Sequence, residues 1–390
     1  MDPKTAMGSE PHGSQVRADF ERIALLLQGG GALGSYQGGV YQALAEADLH
    51  PHWVAGISIG AINAALIAGN APQRRVERLR AFWETVTEGP FGVSYLFQRE
   101  IKNDTVHQLI NQSRAMGALL WGAPGFFKPR IPPPVFLPTS SAGDLGFYDV
   151  SPLKTLLAQL VDFDRVNSGE MRLSVGATHI KSGNSIVFDS LQCPIGVDHV
   201  MASGALPPGF PATEINGEYY WDGGVVSNTP LEWVLNATPR QDTLACQIDL
   251  WSARGELPRD MVEVDTRLKD IRYSSRTRLG TDQFRRMQNL RRATAKLLAQ
   301  MPEELRNSPE AQLLAAQADE KVYNIIQMIY RTRVYEGASK DYEFSRRTME
   351  EHWAAGYRDM TRTLAYPEVL QRPQSADGVF TFDLKRQPGE

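Results

Sequence analysis

Ser58 stands between two glycines in Gly56-Ile57-Ser58-Ile59-Gly60, and this is the first stretch of the chain whose residue types could do chemistry. The pattern is G-x-S-x-G, in which the glycines let the backbone turn sharply from strand to helix and leave a serine hydroxyl pointing outward. Ser58 is therefore the candidate nucleophile. Upstream, Gly29-Gly30-Gly31-Ala32-Leu33-Gly34 follows an apolar run at 23–27 and precedes a helical pattern at Tyr36, Val40, Leu44 and Ala47. Such a turn leaves backbone N–H groups free at the positive end of a helix dipole, which suits a phosphate or an oxyanion. Downstream, Asp222-Gly223-Gly224 sets a carboxylate at a strand end with little side-chain bulk over it.

Which anion the glycine turn serves decides between two enzyme classes. Gly29, Gly31 and Gly34 satisfy G-x-G-x-x-G, the fingerprint of a dinucleotide fold. That fold also needs an acid near the end of the second strand to hold the ribose. Here the second strand runs straight into the serine turn, so the dinucleotide reading loses its ribose partner. An oxyanion hole fits better, because two adjacent strand-turn-helix units bring the glycine N–H groups and the Ser58 hydroxyl to one edge of a parallel sheet. A Ser-Asp-His triad is the rival, with His352, the only histidine after Asp222, as base. Against it stand the single strand before the serine turn and the mid-helix position of His352 in a C-terminal segment.

The elements that must position these groups are readable from periodicity. Strands are expected at 22–28 and 53–57, a helix after Ser58, and an amphipathic helix at 73–86. Residues 89–147 are rich in proline and aromatics (Phe91, Tyr95, Leu96, Phe97, Leu119, Leu120, Trp121, Phe126, Phe127, Phe136, Pro138) and cannot be regular throughout. They form a flap, a lining for an apolar pocket, or a satellite core. A helix follows at 148–161, hairpins at 171–189 and 213–220, a short proline-stopped helix from His199, and a strand at 244–250 that closes the catalytic domain. Beyond it the pattern gives one long helix at 266–300, a strand at 321–331, a helix at 345–364 and a strand at 379–384.

Length and composition bound the rest. The 390 residues suffice for two or three domains, with 42% hydrophobic and 22% charged residues and a net charge of −4, which describes a soluble protein with no sign of nucleic acid as a partner. Cys193 and Cys246 have no metal-ligand or redox spacing and are expected to be reduced thiols. No metal or cofactor is expected. The polar segment 1–20 reads as a disordered arm without a secretion signal, and no apolar run is long enough to span a membrane, so the expected location is cytoplasmic. Residues 261–300 hold ten basic and four acidic residues, a face for anionic lipid or a solvated face packed on the acidic stretch 303–320. The lipid reading would rest on Arg285, Arg286, Arg291 and Arg292.

In this order, the glycine loop, the Ser58 turn and Asp222-Gly223-Gly224 resemble the patatin-like phospholipase family, as do 202–211 and Asn228-Thr229-Pro230. The resemblance covers roughly 20–254, read as the catalytic domain (21–254). It implies a three-layer α/β sandwich around a mainly parallel sheet. It further implies a lipid acyl hydrolase with Ser58 as nucleophile, Asp222 as proton acceptor and Gly29, Gly30, Gly31 and Gly34 as the oxyanion loop, with Gly56, Gly60, Gly223 and Gly224 as motif glycines. The substrate implied is a lipid or other acyl ester, with peripheral membrane contact and oligomeric state left open. Many members carry Arg or Lys just before the last loop glycine, where this chain has Leu33. Residues 255–390, mostly helical, are similar through Asp341-Tyr342-Glu343-Phe344-Ser345-Arg346 to an extension on some bacterial members, with no chemistry attached. The competing function is a non-catalytic lipid-binding or regulatory protein that keeps the fold.

Overall fold

The protein is described by a computed structural model over residues 19–89, 104–134, 141–274, 277–332, 336–373 and 378–383, with 104–105 and 277–279 by backbone alone. Outside these lie the expected arm up to residue 18, Phe91, Tyr95, Leu96, Phe97, Phe136 and Pro138 of the aromatic segment, Arg276 of the basic stretch, and Leu384.

The strands are β1 (Arg22–Leu27), β2 (Trp53–Ile57), β3 (Lys128–Pro129), β4 (Tyr148–Asp149), β5 (Arg172–His179), β6 (Ser185–Asp189), β7 (Thr213–Ile215), β8 (Glu218–Asp222), β9 (Thr243–Asp249), β10 (Tyr323–Ile329) and β11 (Val379–Phe382). The helices are α1 (Ser35–Glu46), α2 (Ile59–Ala68), α3 (Pro72–Val86), α4 (Asp104–Trp121), α5 (Ser151–Leu160), α6 (Phe163–Val166), α7 (Val197–Ser203), α8 (Leu231–Leu235), α9 (Met261–Tyr273), α10 (Thr277–Gln300), α11 (Glu303–Arg306), α12 (Pro309–Gln317) and α13 (Arg346–Leu364).

Among the described residues, nine strands form one sheet in the order β11-β10-β9-β1-β2-β5-β8-β7, with β6 also on β5, while β3 and β4 pair apart from it. β11, β10, β9, β1, β2 and β5 are parallel, and β6, β7 and β8 are antiparallel. β1 is apolar along nearly its whole length because both its faces are covered. Its Ile23, Leu25 and Leu27 enter one core cluster and Ala24 and Leu26 the other, with helices outside each. That is the three-layer α/β sandwich.

The strand expected at 244–250 forms as β9 and lies inside the sheet between β1 and β10. β10 and β11, from the C-terminal region, carry the sheet onward. The helix expected at 266–300 is two helices: Asp260 caps α9 by accepting from Glu263 N, and extended backbone at Ser274 ends it. Arg291 on α10 is buried beside the Phe284 ring, Arg285 donates to Thr381 Oγ1 and Arg292 to Glu320 O. Three of the four arginines of the lipid-facing reading thus serve the packing of α10 on the sheet and on 319–321. No helix among the described residues is long and apolar enough to cross a membrane.

A close helix contact joins α1, which follows the glycine loop, to α13. A Cβ on Gly39 would lie 1.9 Å from Trp353 O, and one on Gly356 would lie 2.0 Å from Tyr36 O. The two backbones touch, and Trp353 Nε1 donates to Gln42 Oε1 while Tyr36 OH donates to Asp359. Gly356→Ala is therefore expected to cost about 1–3 kcal/mol through overpacking. Gly280→Ala, on α10 with open space around its Cβ position, should instead gain up to about 1 kcal/mol of helix propensity. Urea denaturation midpoints of the two variants, moving in opposite directions, check this contact.

Candidate active site

The expected strand-to-helix turn at Ser58 is present. β2 ends at Ile57, α2 begins at Ile59, and Ser58 between them has φ 56° and ψ −126°. A non-glycine residue in that region stores roughly 1–3 kcal/mol of strain and persists only where its surroundings over-determine it. They do so here. A Cβ on Gly56 would sit 2.2 Å from Gly60 O, and one on Gly60 2.2 Å from Leu27 O, so both motif glycines are required for the backbones to pass. Ser58 N donates to Ser203 Oγ at 3.0 Å, and that hydroxyl donates to Gly176 O at 2.6 Å. Ser58 O accepts from Ala61 N and Ile62 N to open the helix.

Register brings Asp222 to this turn. One edge of β5 is held by β2, with Ile57 opposite Gly176, and β6 covers the other edge at 174–178. β8 pairs with β5 at 177–179, placing Asp222 opposite Ala177. It must therefore use the edge that β2 has just vacated, so the acid arrives one position beyond the last residue before Ser58. Gly223 lets the chain leave again, since a Cβ there would be 2.6 Å from Gly176 O. Asp222 N donates to Ala205 O, and Thr178 Oγ1 donates to Asp222 O.

The Asp222 carboxyl is buried. Its Oδ1 accepts from Gly224 N at 2.7 Å, while Oδ2 has no hydrogen-bond partner among the described residues. Burial pushes the group up to about 7 from an ordinary carboxyl value, with the neighbouring Ser58 hydroxyl and the Gly224 N–H holding it down in part. The serine lies close enough to favour the ionised form, yet the approach falls short of a hydrogen bond of standard geometry.

The four loop glycines have different situations. Gly29 N donates to Asn228 Oδ1, and Gly29 O accepts from Asn228 Nδ2 and Trp251 Nε1. Gly30 N and Gly31 N take no partner among the described residues. Gly31 has φ 57°, and its Cβ position is occupied by Asp341 O, 2.1 Å away, which also accepts from Ala32 N at 2.8 Å. Gly34 packs against Ile59 and Trp83 rather than facing the site. Leu33, where a cation is common in the family, is fully buried in the core.

A cavity of about 290 Å³ opens over these groups, touching Ser58, Asp222, Gly29, Gly30, Gly31 and Gly224. Its other walls are apolar: Ile59 and Ile62 from α2, Leu119 from α4, and the edge-to-face cluster of Phe126, Phe127, Tyr148, Phe210 and Phe344. Of the aromatic segment, Leu119, Phe126 and Phe127 thus line a pocket, while Leu120 and Trp121 are exposed. His352 lies elsewhere, buried against Glu336 at 3.0 Å and the Tyr330 ring, and does not line this cavity.

Sequence reasoning gave no role to Gln28, Ser203, Asn228 or Trp251. Gln28 Oε1 accepts from Leu250 N and Trp251 N, tying the end of β1 to the end of β9. A polar residue at the end of an otherwise apolar strand is the signal that could have found Gln28, and no local signal marks the other three. It also gave no chemistry to 341–344, three of whose residues, Asp341, Tyr342 and Phe344, line the cavity.

A mainly parallel α/β sandwich with an apolar cavity at the carboxyl edge of its sheet has a pocket suited to an apolar ligand where open α/β sheets hold their ligands. The chain belongs to the patatin-like phospholipase family: residues 25–235 match it, and residues 271–376 match a second family described as Patatin phospholipase. By family it is a lipid hydrolase. No curated protein matches the sequence. Among solved structures, VipD from Legionella pneumophila is 16% identical with a TM-score of 0.39, the alignment covering 88% of this chain and 67% of VipD. The type III effector ExoU is 15% identical with a TM-score of 0.23, covering 86% of this chain and 53% of ExoU. The chain thus spans about half the length of ExoU.

The raised Asp222 pKa has a stability consequence. The folded state holds this proton up to about pH 7 while the unfolded chain releases it near 3.8, so its contribution favours the fold at low pH and is lost as pH rises towards 7. Above pH 7 the ionised, half-partnered carboxylate should cost on the order of 2–4 kcal/mol. Asp222→Asn is expected to raise Tm at pH 8 and to have little effect at pH 4. Thermal melts at the two pH values measure this, and an equal shift at both would contradict it.

Proposed function

We propose that the protein hydrolyses lipid acyl esters through a Ser58–Asp222 dyad, with the Gly30 and Gly31 N–H groups as oxyanion donors. The observation that carries the reading is the buried Asp222 carboxylate, brought beside the strained Ser58 turn by strand register with one oxygen left unpartnered. A non-catalytic lipid binder has no need of such a group.

In this mechanism Asp222 accepts the Ser58 proton as the hydroxyl attacks the ester carbonyl. The carbonyl oxygen becomes an oxyanion held by the loop N–H groups, each such donor being worth about 3–4 kcal/mol. Collapse breaks the ester C–O bond, and the departing alcohol takes the proton back from Asp222. Water then adds to the acyl-enzyme, giving its proton to Asp222, and the fatty acid leaves as Ser58 regains its hydrogen. A carboxyl at about 7 is well matched to taking and returning a proton near neutral pH. The aromatic cavity would hold the acyl chain. Leu120 and Trp121, exposed on α4 next to the cavity residue Leu119, support entry of substrate from a lipid surface.

Ser58→Ala and Asp222→Asn should each lower kcat/KM on a p-nitrophenyl ester by about 10⁴-fold or more. Near-full activity of the Asp222 variant would remove the dyad. The unmodified chain should be labelled at Ser58 by a fluorophosphonate. Its kcat/KM should rise with pH through about 7, because only the ionised carboxylate accepts a proton.

A further inference from the structure

The loop that carries the proposed oxyanion donors is held by elements far along the chain. Gly29 is gripped on both its N–H and its carbonyl by Asn228, whose Nδ2 also donates to Tyr273 O at the end of α9. Two residues on, Asp341 O fills the space beside Gly31 and accepts from Ala32 N. Gly30 and Gly31, whose N–H groups face no protein partner among the described residues, lie between these two anchors.

The anchors are themselves cross-linked. Consecutive residues of α9, Lys269 and Asp270, meet consecutive residues of the segment before α13, Lys340 and Asp341, with the charges reversed. Lys269 Nζ is 2.5 Å from Asp341 Oδ1, and Lys340 Nζ is 2.6 Å from Asp270 Oδ1. Lys340 is only 2% exposed and donates also to Thr332 Oγ1. Both ammonium groups sit over the Trp251 ring, at 5.8 Å and 5.0 Å, and Trp251 Nε1 donates to Gly29 O. The Trp251 ring in turn lies against Tyr273. The reciprocal pairs thus close a ring of contacts from α9 through Trp251 and Asp341 to both sides of the glycine loop.

We propose that Lys269 and Lys340 are positioning residues for the oxyanion loop: their crossed ion pairs with Asp341 and Asp270 fix the Asp341 carbonyl and Trp251 against it, so the C-terminal region sets the geometry of transition-state stabilisation. This rests on the proposed function of the same site. Neither lysine touches the reacting atoms. Their effect is on how well the Gly30 and Gly31 N–H groups meet a developing oxyanion, which is felt in the transition state and little in the ground state.

The test uses the full chain and a short, soluble p-nitrophenyl ester, with circular dichroism confirming that each variant is folded at the assay temperature. Lys269→Met should lower kcat by about 10- to 100-fold, a part of what loss of a whole donor costs, with KM changed by less than about twofold. The rate of fluorophosphonate labelling should fall by the same factor, and Lys269→Arg should recover most of both. Asp341→Asn, which keeps the backbone carbonyl, gives the same readout should Lys269→Met fail to fold. Unchanged kcat in a folded variant overturns the proposal, and so does a rise in KM alone or an Arg variant no better than Met. Failure of the dyad reading looks different: the unmodified chain itself would not be labelled, or Ser58→Ala would stay active.

Discussion

One edge of β5 is shared by two strands, and the rest of the site depends on that sharing. β2 must stop at Ile57 for β8 to pair at 177–179, and β8 must run antiparallel for its last residue, Asp222, to reach the point where β2 stopped. A one-residue slip of β8 would turn Asp222 to the opposite face of the sheet. The glycines around the site follow from the same crowding: Gly56, Gly60 and Gly223 each stand where another backbone passes within about 2–3 Å of a Cβ position. The strained φ at Ser58 is the local price of ending a strand so abruptly beside another.

Desolvation is the second organising force. The cavity is walled by aromatic and aliphatic side chains, and the same walls that suit an acyl chain deprive Asp222 of water. Among the described residues, only one of its oxygens is compensated by a hydrogen bond. Its ionised form is therefore unfavourable for folding and favourable for accepting a proton. Two other buried sites treat their charges differently. Lys340 and the Arg172–Asp189 pair are matched closely, with Ser174 adding a further hydrogen bond to Asp189.

What was legible in the sequence was local. The turn after β1, the turn after β2 and the strand end at Asp222 each carry their signature within a few residues, and the family resemblance drew on those. Much of the helical and strand period beyond residue 254 was also readable, apart from α11 and α12, which lie in a stretch read only as acidic, and the break between α9 and α10, where Ser274 carries no glycine or proline to mark it. What was not legible was non-local. Nothing near Asn228 or Trp251 states that they meet Gly29, and nothing near Asp341 states that its carbonyl meets Gly31. The arginines of α10 read as a surface because a helical pattern gives the face but not its neighbour. Once β10 and β11 lie beside β9, that face has a sheet to pack on.

The placement of β1 has a consequence for how the molecule comes into being. β1 is flanked by β2, which follows it closely in the chain, and by β9, which does not. A ribosome releases the glycine loop and the serine turn early, and Trp251 and Asp341 much later. The nascent chain therefore carries its serine long before the contacts that shape the loop beside it can form. The contacts of Trp251 and Asp341 with the glycine loop can form only late in synthesis, after residue 341 has emerged, however early the serine motif appears.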